Sequence, residues 1–143
     1  MPKTIFINLP VADVAKATAF YEALGFKMNP AFSNESASAM GWSDTIHIML
    51  LDRAFYATFT DKQIIDAKTH SGALLCLSFD SKEAVDDIHS RAATAGGRET
   101  RAIEDKSFMY GGAFEDLDGH GWETVWMDAG ASTDGATLAH DAA

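Results

Sequence analysis

The chain has 143 residues, 47% hydrophobic and 22% charged, which suits one globular domain with its own core. A formal net charge of −10, with 11 lysines and arginines that form no basic patch, repels phosphate backbones and anionic lipid, so neither nucleic acid nor a membrane surface is an expected partner. The single cysteine, Cys76, excludes an internal disulfide framework; with no signal-peptide layout and no apolar run near the roughly 20 residues a membrane span needs, a soluble cytoplasmic protein is expected.

Residues 3-KTIFINLPV-11 are rich in β-formers and read as a strand that ends near Pro10. A helix follows over 13–26: Val14, Ala17, Phe20, Tyr21 and Leu24 fall at helical spacing, with Asp13 as N-cap and Gly25 as the stop. Three short β-like runs come next, 26–32, 36–42 and 45–52, separated by turn chemistry at 33–35 and 43–44. The connection 52–72 is long, and 61-DKQIIDA-67 is expected to add a short helix.

The second half repeats the order. An apolar strand over 73–79 leads into a helix over 81–97, capped by Ser81 and stopped at Gly96 or Gly97, and then into β-like runs near 98–103, 108–116 and 121–128. Strand 6-FINLPVAD-13 lies over 74-LLCLSFDS-81, and 47-HIMLLD-52 over 123-ETVWMD-128, so His47 and Glu123 are equivalents. The expected fold is α+β: two βαβββ modules, about 3–52 and 73–128, forming a curved mixed sheet around a cavity within one domain, 1–128. Residues 129–143 are small, polar and unpatterned and read as a disordered tail.

The segments 9-LPVADVAKATAFYEALGF-26 and 116-DLDGHGWE-123 resemble the vicinal oxygen chelate superfamily, which takes in glyoxalase I lyases, extradiol dioxygenases and bleomycin-sequestering proteins. Within it, the chain is most similar to a bacterial subgroup labelled predicted lactoylglutathione lyases. The resemblance covers residues 3–128 and implies a homodimer acting on a small molecule with vicinal oxygens. It also implies a divalent ion (Zn, Ni, Fe or Mn), with ligands from the first and last strands of each module. Carried over by position, the last-strand ligands are His47 and Glu123, while Phe6 and Leu74 occupy the first-strand positions and cannot bind metal. The alternative that this incomplete set implies is a metal-free binding or sequestering protein.

Strand alternation puts Glu123 on one face with Val125 and Met127, and His47 with Met49 and Leu51, so both are expected to look into the cavity. Together they are the candidate catalytic and metal-binding pair: a His–carboxylate pair suits a general base, and Glu35 is a candidate further ligand. Phe6, Asn8, Trp42, Leu74, Phe108 and Tyr110 are the candidate substrate-binding residues. In 116-DLDGHG-121 the acids and His120 read as turn chemistry that aims Glu123, with His120 at the surface. Cys76 reads as a small buried hydrophobe.

Overall fold

A computed structural model describes residues 2–128; the tail expectation for 129–143 lies outside the described residues. The element order is β1 (Ile5–Val11), α1 (Val14–Leu24), β2 (Lys27–Met28), β3 (Ala37–Gly41), β4 (Ile46–Asp52), α2 (Arg53–Tyr56), β5 (Leu74–Phe79), α3 (Lys82–Thr94), β6 (Arg98–Asp105), β7 (Met109–Glu115) and β8 (Gly121–Met127). Two four-stranded sheets result, ordered β1-β4-β3-β2 and β5-β8-β7-β6. In each, the first strand runs parallel to the last and the other neighbours are antiparallel, so the α+β two-module fold is as the sequence indicates, in two separate sheets.

The helix ends follow from their caps. Asp13 accepts the Lys16 N–H at 3.0 Å and Gly25 closes α1 at φ 107°; Ser81 accepts the Ala84 N–H at 3.1 Å to start α3. Two expected elements differ. The run 26–32 keeps only the two residues of β2, because Asn29 caps a 3₁₀ turn over Pro30–Phe32 by accepting the Ala31 N–H. The helix expected over 61–67 does not form. The helical turn lies earlier, at α2 and Ala57–Phe59, and Arg53 donates to the Ile64 and Ile65 carbonyls, each at 3.3 Å, tying 61–67 down as irregular chain.

One hydrophobic core runs through both modules. Leu9, Phe20, Tyr21, Phe26, Ile48 and Leu50 from the first meet Leu77, Ile88, Phe114 and Trp122 from the second. Each fully buried side chain of this size contributes about 1.5–3 kcal/mol relative to exposure. The helices and the inward sheet faces share this core, which leaves the opposite face of each sheet, bearing His47 in one and Glu123 in the other, open to solvent in part.

Inside the second module, His89 of α3 is buried; its Nε2 lies 2.8 Å from Thr124 Oγ1, while Nδ1 has no hydrogen bond among the described residues and sits 3.5 Å from Glu99. Burial pushes the imidazole below its usual value, with Glu99 pulling it back up. A group depressed in the folded state stabilises the fold above its unfolded value, and that stability is lost as pH falls through the folded one. Melting temperature should therefore fall between pH 7.5 and 5 more steeply in the wild type than in His89→Gln; parallel profiles would refute the assignment.

Candidate functional site

The sheet faces turned away from the helices carry the two equivalents, and each has its own partners. His47 stacks on Phe6, ring centroids 4.9 Å apart, and its Nε2 donates to Asp44 O at 3.2 Å. That bond makes Nε2 the protonated nitrogen. Glu123 lies in the other sheet and its Oε2 accepts from Arg101 Nη1 at 3.1 Å. No hydrogen bond or ion pair joins His47 to Glu123 among the described residues.

Arg101 is the residue the sequence reading missed. Across the second sheet Cys76 pairs with Glu123, Glu123 with Ala113 and Ala113 with Arg101, so the four form one row on one face. The small Ala113 side chain lets the guanidinium pass over β7 to the carboxylate. A register shift in β6 between Glu99 and Arg101 supplies the geometry. Residues 98 and 101 are an odd number apart and would face opposite ways in a regular strand; the bulge turns both to the same side. Arg98 accordingly pairs with Glu115 at 2.9 Å in the adjoining row.

The row also corrects the reading of Cys76. It is exposed on the Glu123 face, not buried. Its thiol is partly desolvated nonetheless, and that desolvation, followed by the Glu123 carboxylate, pushes it above the usual thiol value while Arg101 pulls the other way. The thiol is thus kept protonated, which makes it a poor nucleophile and a poor metal ligand. Counting back seven residues from each helix cap makes Leu74 the counterpart of Phe6, but sheet register differs: Phe6 pairs with His47, whereas Leu74 pairs with Gly121 and Cys76 stands beside Glu123. The second module is slipped by two residues.

A cavity of about 620 Å³, half open and lined mainly by apolar atoms, lies between β1, the connection 60–73 and the start of β5 and β8. Asn8 and Leu74 line it, as do Ile65, Glu115, His120 and Gly121. The other candidate residues are placed elsewhere. Trp42 packs on Phe26 and on Phe79 of the second module, at 4.9 and 5.8 Å. Tyr110 looks toward α3, donating to Asp86 at 2.5 Å, and that bond raises its hydroxyl to about 12. Phe108 is half-buried in the turn before β7, and Glu35 is exposed ahead of β3.

The acidic turn 116–121 clasps the modules together. Asp116 is buried, and accepts the backbone N–H groups of Asp118 and His120, both at 2.9 Å, and the hydroxyl of Tyr21 from the first module. Trp122 Nε1 donates to that hydroxyl at 2.9 Å. Asp118 accepts the Ala12 N–H at 2.9 Å, and His120 Nε2 donates to Pro10 O at 2.7 Å, so His120 is half-buried at the seam and not on the open surface. Gly119 makes the turn at φ +92°, with a Cβ there falling 2.6 Å from Lys68 N. Burial raises Tyr21 well above the ordinary phenol value, with Asp116 adding to the shift, so the hydroxyl stays a donor. Burial likewise raises Asp116, opposed by His120 and the groups that bond to it.

These donors do not fit a divalent ion held by the described residues. Glu123 is engaged by a guanidinium, His47 is stacked on a phenyl ring, and no group of three or more His, Cys, Asp or Glu side chains converges among the described residues. No described helix is long and apolar enough to cross a membrane.

Comparison with known proteins places the fold. Residues 3–40 match the family model described as bleomycin resistance protein-like N-terminal. No curated protein matches the chain. Among solved structures, a hypothetical protein from S. aureus superposes with a TM-score of 0.75 at 24% identity, covering 88% of this chain and 94% of its own. A glyoxalase/bleomycin resistance protein/dioxygenase family enzyme from Burkholderia phytofirmans PsJN gives 0.72 at 19% identity, over 88% and 99%. A bleomycin-binding protein complexed with bleomycin gives 0.60 at 20% identity, over 89% and 100%. The chain thus has the two-module fold of proteins carrying these names.

Proposed function

We propose that the protein binds a small organic molecule with a largely apolar body, in the manner of a vicinal oxygen chelate protein of the bleomycin-resistance type, and needs no resident metal ion to do so. The observation that carries the reading is the cavity of about 620 Å³ whose apolar wall includes Leu74 and Ile65 and whose rim includes the polar Asn8. The bleomycin-binding protein of the same fold supports it, since that protein is complexed with a small molecule. The test is titration with N-phenyl-1-naphthylamine, an uncharged dye that brightens in apolar surroundings. Saturable binding is expected, unchanged by EDTA and weakened about tenfold or more in Leu74→Asp; Leu74 is 61% exposed, so the substitution spares the core. Binding lost in EDTA, or no saturable binding, would overturn the reading.

The second reading is the metal-dependent lyase or dioxygenase, and the lactoylglutathione lyase subgroup falls under it. What favours it is that His47 and Glu123 both lie on the half-buried, helix-distant faces of last strands. It would need Glu123 released from Arg101 and further ligands from a second copy, and exposed Ile5, Phe6 and Leu74 are apolar surface that a homodimer would cover. Elemental analysis finding a stoichiometric metal, lost in His47→Ala and in Glu123→Ala, would establish it over the first.

A further inference from the structure

The face of the second sheet is organised in rows. Leu74, Gly121 and Glu115 form the row that enters the cavity, and Cys76, Glu123, Ala113 and Arg101 form the next one on the same face. Successive same-face rows are about 7 Å apart along a strand, so a molecule seated in the cavity needs to extend by only a few atoms to meet Arg101 and Glu123. Their side chains are 45% and 24% exposed, so the pair is open to solvent in part, one row beyond the residues that line the cavity.

The contact uses one atom of each partner, Nη1 of Arg101 and Oε2 of Glu123. A guanidinium has five donors in a planar fork and a carboxylate has two acceptor oxygens, so the pair presents further N–H donors beside a further acceptor. Because the two charges offset each other, an incoming anion loses to Glu123 most of what it gains from Arg101, and an incoming cation the reverse. An uncharged group with an acceptor next to a donor meets both without displacing either. The β6 bulge is what builds this arrangement, since without it Arg101 would point to the helix side.

We infer that the Arg101–Glu123 pair, one row beyond the cavity lining, is the polar contact for the head group of a molecule seated in the cavity, and that it takes an uncharged carboxamide-like head group. The inference rests on the small-molecule reading above and deepens it by naming the head-group class and the residue that selects it.

Three probes of similar size and different charge test it: benzamide, benzoate and benzylammonium, titrated into ¹⁵N-labelled protein, together with Zn²⁺ alone. Benzamide should shift the amide resonances of Gly121, Ala113 and Glu123 saturably, with an apparent Kd at least about fivefold below those of the two charged probes. Zn²⁺ should leave the Glu123 resonance in place. Arg101→Met should remove the preference for benzamide, and Glu123→Gln, which keeps the shape, should weaken benzamide less than Arg101→Met does. An exposed pair of this kind contributes at most about 1 kcal/mol to stability, so both variants should fold, and their own spectra report whether they do. Benzoate or benzylammonium binding as tightly as benzamide, absence of benzamide binding, or a Zn²⁺-induced shift of Glu123 in the wild type would each overturn this contact. Naphthylamine binding that survives any of these results leaves the cavity reading standing, so the two ideas fail separately.

Discussion

Replacing Asp116 by alanine is expected to lower the melting temperature by about 10 °C, although the residue lies outside the cavity. The carboxylate accepts from Tyr21, Asp118 and His120 in a buried setting, and each donor left without a partner costs about 1–3 kcal/mol. Water can reach the turn once the side chain is gone, so a total of about 3 kcal/mol is the reasonable sum; a chain of this size loses about 2–4 °C per kcal/mol. Asp116→Asn should lose less, because one amide oxygen can still accept. Thermal unfolding followed by circular dichroism decides it, and a loss under about 3 °C for the alanine variant would show that the clasp contributes little. A double-mutant cycle with Tyr21→Phe should give a coupling of about 1 kcal/mol or more, since the two groups share one hydrogen bond.

Gly111→Ala should be worse, yielding a protein that is unfolded or melts at least about 15 °C lower. A Cβ at this position would lie 1.9 Å from Thr124 O and 2.9 Å from Thr124 C, both backbone atoms of the neighbouring strand. No rotamer moves a Cβ, so β7 and β8 would have to separate at this point. Thr124 depends on that approach: its hydroxyl accepts the Gly112 N–H at 3.1 Å and lies 3.3 Å from the Gly112 carbonyl. Losses above 4–5 kcal/mol are uncommon for single substitutions and arise from failures of this kind. Differential scanning calorimetry gives the answer, and a melting temperature near the wild-type value would mean the strands can part without penalty.

Which features could be read from the chain follows from the range of the interactions behind them. Asp13, Gly25 and Ser81 act within one turn of themselves, so the helix ends were legible. The alternation of apolar residues in β4 and β8 likewise set which side chains share a face with His47 and with Glu123, but their expected place in the cavity depends on how the sheets dock, and neither residue lines the cavity of about 620 Å³. The placement of Arg101 was not legible, because a bulge breaks the period of two and leaves no residue signature in 98-RETRAI-103. Tyr110 and Trp42 were assigned to a pocket from their chemistry. Their surroundings, Asp86 on α3 and Phe79 on β5, come from packing between distant segments. The turn 116–121 was recognised as a turn, but its grip on Tyr21, Pro10 and Ala12 spans about a hundred residues of sequence and depends on how the modules dock.

The two-residue slip between the modules bears on anyone who would graft function onto this scaffold. A designer numbering the second half from the first would install a new side chain at position 74, and it would emerge beside Gly121, in the cavity lining and about 7 Å short of Glu123. The neighbour of Glu123 is position 76, already held by a thiol of raised pKa. Duplicated halves can keep the same count from strand to helix and still shear one strand against its neighbour, so the paired strands, not the matched sequences, are the ruler by which residues here should be transplanted.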